Sequence, residues 1–191
     1  AALRRALAPD GEVLVGYVGR LAVEKRVELL APVARMRGVR LVVVGTGPAE
    51  PSVRAALPGA VFLGERRGAQ LGRIYASLDV FAHAGPFETF GQTVQEALAS
   101  GLPVVAPAAG GPLDLVSPGR TGYLVPPEDG AALAEAVAVL VANPTMRAEF
   151  GAAARDQVAG RTWAAVGDEL IDHYVAVHSG RVPVPRLGIP A

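Results

Sequence analysis

Six short apolar runs, rich in β-branched residues, recur along the chain. They are Glu12 to Val18, Arg40 to Val44, Ala60 to Leu63, Val80 to His83, Pro103 to Ala106 and Gly122 to Val125. Each is followed by a turn and then by a segment with helical spacing. Strands this apolar need cover on both faces. Alternation of strand and helix then predicts an α/β fold, a doubly wound parallel sheet of about six strands. Helical spacing spans Arg26 to Met36 (with Pro32 a kink or late start), Glu50 to Leu57, Ala69 to Leu78, Gly91 to Ser100 and Pro112 to Val116. It returns at Ala131 to Ala142, Thr145 to Val158 and Trp163 to Val177. Residues 1–11 read as a linker or a frayed helix, 12–178 as one domain, and 179–191 as a Pro-rich tail.

Composition narrows the function classes. The formal net charge is zero and no basic stripe is interleaved with aromatics, which argues against nucleic acid as the main partner. There is no cysteine, hence no disulfide framework or thiol chemistry. No apolar run reaches the length of a membrane span and no secretory signal opens the chain, so a cytoplasmic domain is expected. Seventeen arginines stand beside a single lysine, Lys25. Codon composition accounts for the bias; a compact ammonium retained after the first strand accounts for the exception.

In open α/β sheets, ligands bind outside the carboxyl ends of the strands. The candidate motifs all fall on such ends. After the first strand, Gly19 lets the chain approach a ligand while Arg20 and Lys25 supply the positive charge a diphosphate leaving group needs. The bland alternative is a solvated loop with Lys25 paired to Glu24 or Glu28. After the second strand, Gly45-Thr46-Gly47-Pro48 lacks the third glycine of a dinucleotide fingerprint; it is a tight turn or the wall of a base or phosphate pocket. After the fourth, Glu88 to Glu96 reads E-T-F-G-Q-T-V-Q-E. Glu88 precedes a helix beginning near Gly91, and Glu96 shares a helical face with Gln92 and Thr93, leaving Val94, Ala97 and Leu98 to face the sheet. Amides of Phe90, Gly91 and Gln92 at that helix start attract anions. Acceptors for hydroxyls thus stand beside donors for a phosphate, as a sugar nucleotide requires. His83, isolated in a loop, reads as satisfying a backbone group. Gly110-Gly111-Pro112 opens a short helix whose amides face the same edge, or is a plain loop. No His/Asp/Glu spacing fits a metal site.

These pieces, in order over about residues 12 to 178, resemble the C-terminal, donor-binding half of a retaining glycosyltransferase of GT-B architecture and the GT4 family. The carriers are G-R-L-A-V-E-K at Gly19, V-V-V-G-T-G-P at Val42, F-E-T-F-G-Q-T-V-Q-E-A-L-A-S-G-L-P-V-V-A at Phe87, P-A-A-G-G-P-L-D-L-V and T-G-Y-L-V-P-P. The wording from His83 to Gly101 is similar to actinobacterial GDP-mannose-dependent α-mannosyltransferases acting on lipid acceptors. The resemblance implies a Rossmann-like half of the GT-B fold, with Arg20 and Lys25 gripping the donor diphosphate. Glu88 would bond hydroxyls of the transferred sugar, in a segment running through Thr89, Phe90, Gly91, Gln92 and Thr93. Glu96 would bind the ribose, while Gly45, Gly47 and Pro48 with Leu63, Gly64 and Glu65 would flank the base. It implies a nucleotide-sugar donor, GDP-mannose, no cofactor and no metal. It further implies a missing N-terminal half that holds the acceptor, any contact with the inner membrane surface being made there. The last helix, with Trp163, Leu170, Ile171 and Tyr174, would cross back toward that half, and the isolated chain would bind donor and transfer little. Two other readings stay open: a nucleotide-sugar epimerase on the same fold, and a sugar-nucleotide-binding module without catalysis.

Overall fold

The computed structural model describes residues 2–181. In chain order the elements are α1 (Ala2–Leu7), β1 (Val13–Val18), α2 (Ala31–Ala34), β2 (Val39–Val44), α3 (Glu50–Ala56), β3 (Val61–Phe62), α4 (Gly68–Tyr75), β4 (Val80–Ala82), α5 (Gln92–Ala99), β5 (Val104–Pro107), α6 (Pro112–Leu115), β6 (Gly122–Val125), α7 (Gly130–Ala142), α8 (Pro144–Val158) and α9 (Trp163–His178). All six strands are parallel, in the order β3-β2-β1-β4-β5-β6. The sheet is the doubly wound α/β arrangement expected from the sequence.

Alternation along each strand feeds two separate cores. Val15 and Tyr17 of β1, Val43 of β2, Val80 and Ala82 of β4 and Val105 of β5 pack with Val33 of α2 and Leu133, Val137 and Leu140 of α7. Leu14 and Val18, Val42 and Val44, Phe81, and Val104 and Ala106 pack on the other face with Ile74 and Tyr75 of α4 and Val94 and Leu98 of α5. Each fully buried Val or Leu contributes roughly 1.5–3 kcal/mol. These two layers hold the strand tips, and the loops on them, in fixed relation.

Residues 1–11, read as a linker or a frayed helix, contain α1: it buries Leu7, and Arg4 donates to the Asp79 carboxylate (2.9 Å) and the Ser77 carbonyl (2.8 Å). The helix expected over Arg26 to Met36 is broken. Arg26 is left-handed at φ 47°, a 3-10 turn covers Val27–Leu30, and only Ala31–Ala34 is α-helical. Pro32 sits at the start of that piece, where its missing N–H costs nothing. The chain divides into two compact units at Val158/Ala159, and α9 belongs to the second. Within its own unit α9 starts at Thr162, whose hydroxyl caps the Ala165 N–H at 3.1 Å, and it buries none of its residues. Of the Pro-rich tail expected over 179–191, residues 182–191 lie outside the described residues.

Candidate functional site

The strand order reverses between β1 and β4, so the loops leaving these strands diverge and open a crevice at the carboxyl edge. The loop after β1 is bound to the loop after β2. Leu21 N–H donates to the Thr46 carbonyl and Ala49 N–H to the Leu21 carbonyl, both at 2.9 Å. Gly45, at φ 132°, lies so close to Gly19 that any side chain would strike the Gly19 carbonyl. Gly45 N–H in turn donates to the Gly64 carbonyl after β3 (2.9 Å). Together these loops form a cleft of about 310 Å³ lined by Gly19, Arg20, Gly45, Thr46, Glu65 and Arg66.

An ion pair bridges the crevice. Lys25 Nζ, from the loop after β1, donates to Glu88 Oε2, from the loop after β4, at 2.8 Å. Gly91 N–H donates to Glu88 Oε1 at 3.1 Å. The Lys25 and Glu88 side chains are only 19% and 18% exposed. Burial raises the pKa of the Glu88 carboxyl, but the Lys25 and Gly91 hydrogen bonds outweigh it and hold the group below its ordinary value. Behind it, Gly111 N–H donates to the Glu88 carbonyl at 2.6 Å, so the loop after β5 braces the backbone of this acid. The bland reading of Lys25 is thereby overturned: Glu24 pairs with Arg20 and Glu28 with Arg26, leaving Lys25 to Glu88.

The other expected residues are distributed as follows. Arg20 lines the cleft, but its side chain is 63% exposed and its guanidinium is engaged by Glu24. Gly91, left-handed at φ 71°, precedes α5, and its amide, expected to face an anion, is taken by Glu88. Thr89, Phe90 and Gln92 are exposed at that helix start. Glu96 sits further along α5, where Oε1 accepts from Gln92 Nε2 (3.2 Å) and Oε2 lies 3.1 Å from the Tyr75 hydroxyl. That hydroxyl is also 3.2 Å from the Thr93 carbonyl. Burial and the Glu96 charge raise the pKa of the Tyr75 phenol, which keeps its proton. Gly47 packs against the Leu21 backbone and Pro48 is exposed. Glu65 lines the cleft and pairs with Arg67, whereas Leu63 lines a different groove with Leu3, Arg66, Gln70, Arg73 and Ile74.

Two residues were missed. Tyr75 read as part of an apolar helix face, and nothing local announces a hydroxyl partner on another helix. Arg66, in the loop after β3, carried no motif. His83 is corrected outright: its main-chain N–H donates to Val105 (2.8 Å), yet the ring satisfies no backbone group. The imidazole is 2% exposed and neither nitrogen has a hydrogen-bond partner. The Gly85 backbone lies near enough to the ring to favour its charged form. Burial lowers its pKa to about 4, against the opposing pull of Glu88. Among the described residues no three His, Asp or Glu gather as a metal site.

The arrangement combines a cation, a carboxylate and a helix start at a crevice, next to a cleft able to take a flat or anionic group. The family described as glycosyl transferases group 1 matches residues 12–143. The GDP-mannose-dependent alpha-mannosyltransferase of Mycolicibacterium smegmatis is 55% identical over 177 residues, 92% of this chain and 46% of that protein. Its Mycobacterium tuberculosis counterpart is 53% identical over 180 residues, 94% of this chain and 47% of that protein. The chain thus spans about half the length of the curated relatives it matches. Among solved structures, Anabaena HepE in complex with UDP is similar with TM-score 0.81 and 25% identity, over 92% of this chain and 52% of that one. Sucrose-phosphate synthase from Thermosynechococcus elongatus is similar with TM-score 0.79 and 29% identity, over 94% and 49%.

Proposed function

Because the chain belongs to the group 1 glycosyl transferases, we propose that it is the donor-binding half of a retaining hexosyltransferase that takes mannose from GDP-mannose. The observation that carries this reading is Glu88, held between Lys25 and the Gly91 amide across the crevice where the strand order reverses. The acceptor, a lipid or a glycan, is held by the other half of the full-length enzyme.

The chemistry follows from the charges. Within the crevice Lys25 and Glu88 neutralise each other. A donor diphosphate competes for Lys25, and Arg20 can turn from Glu24 to the same anion at little cost, since that pair is exposed. Cations at the bridging oxygen stabilise the charge that grows as the glycosidic bond breaks. Glu88, released from Lys25, becomes an acceptor for hydroxyls of the hexose. Glu96, with its Tyr75 and Gln92 partners, holds the ribose hydroxyls. The cleft between Gly45 and Glu65 receives the base. No metal is needed. In the retaining reaction the departing phosphate helps take the acceptor proton on the same face.

Titration calorimetry with GDP, UDP and ADP tests the site. GDP binds best, and Lys25→Ala or Glu96→Ala each weakens it about tenfold. Equal affinity in the wild type and both variants removes the assignment. In the full-length enzyme, Glu88→Gln lowers turnover by roughly a hundredfold.

A further inference from the structure

Three polar residues are buried among the described residues: Ser77, His83 and Thr121. Ser77 donates to the Arg73 carbonyl at 2.8 Å, and Thr121 Oγ1 accepts from the Ser117 N–H at 2.9 Å. His83 alone among them satisfies nothing with its ring, and a buried polar group left unpaired is costly. Its surroundings would suit an apolar side chain. Strand alternation places it on the face of Phe81, under α5 with Val94 and Leu98. It also stands at the carboxyl end of β4, one of the two strands that flank the crevice, within electrostatic reach of both Glu88 and Lys25.

We propose that His83 contacts the donor directly, its imidazole hydrogen-bonding a hydroxyl of the transferred hexose. The inference rests on the donor-binding reading above. A neutral imidazole offers one donor and one acceptor, which matches a hydroxyl; a phosphate offers acceptors only. The residues that follow it in the loop after β4, Ala84 to Glu88, are fastened by the Lys25–Glu88 pair, and Gly85 rests against the Lys25 backbone. When the diphosphate takes Lys25, that fastening is released, and the ring nitrogens open to the sugar. The imidazole, unpaired within the fold, is thus satisfied by the sugar-bearing ligand.

Stability and affinity then move in opposite directions on substitution. His83→Leu raises the Tm of this chain, lowers its affinity for GDP-mannose about tenfold and leaves GDP within twofold. His83→Met serves in its place if the Leu variant does not fold. Unchanged GDP-mannose affinity overturns the inference. So does an equal loss of GDP and GDP-mannose, which would put the effect on the nucleotide or on the fold. A wild-type chain that binds neither ligand overturns the donor reading itself, and this inference with it.

Discussion

Lys25 shows how a single torsion decides which charges meet. Glu24 and Glu28 are nearer in sequence, but Arg26 turns left-handed immediately after the lysine and removes it from any helical face shared with Glu28. The presence of Lys25 and Glu88 was legible in the sequence; their pairing was not, because it depends on that turn and on a loop from a distant strand. His83 carries a pH signature of its own. Its pKa is about 4 in the fold against an ordinary 6.5, so the unfolded chain takes the proton first as pH falls. Stability is therefore complete above pH 6.5 and drains between there and 4. Glu88, lowered in the fold, adds a loss as pH drops through its own folded value. Denaturant unfolding at pH 7 and pH 4.5 should show a fall that is roughly 2–3 kcal/mol smaller in His83→Leu. An identical fall in both proteins would mean that His83 titrates normally.

The elements themselves were largely readable, because period-two and helical patterns each feed one of the two cores. Failures came where capping or backbone conformation overrode pattern, as in the broken segment before α2. α7 illustrates a legible boundary: Asp129 accepts from Ala131 and Ala132 N–H at 3.0 and 2.9 Å. Asp129→Ala should cost about 1 kcal/mol of stability in denaturant unfolding and leave GDP affinity intact. Gly45 joins two elements, and Gly45→Ala should act differently. A side chain there forces the loops after β1 and β2 apart, so GDP affinity and Tm should drop together. A variant with wild-type affinity would show that the cleft between those loops is not used by the nucleotide.

At the scale of the molecule, alternation of strand and helix predicted a parallel sheet, but not the order of its strands, which the crossovers decide. Nor did composition reveal the boundary at Val158, since α9 has ordinary helical spacing. The two hydrophobic cores lie within the first unit, whose last core residue named in either is Val158. Deleting residues 159–191 should therefore lower Tm by no more than about 4 °C and keep GDP binding, as scanning calorimetry with and without GDP would show. The strand order has a last consequence. β1 matches β2 over six residue pairs, from Val13 opposite Val39 to Val18 opposite Val44, but meets β4 over only Val15–Val80 and Gly16–Phe81. β1 and β4 thus meet along a short central seam, at the point where the strand order reverses. A nucleotide sugar lying over that seam would act as its suture, slowing amide exchange on both sides of it at once.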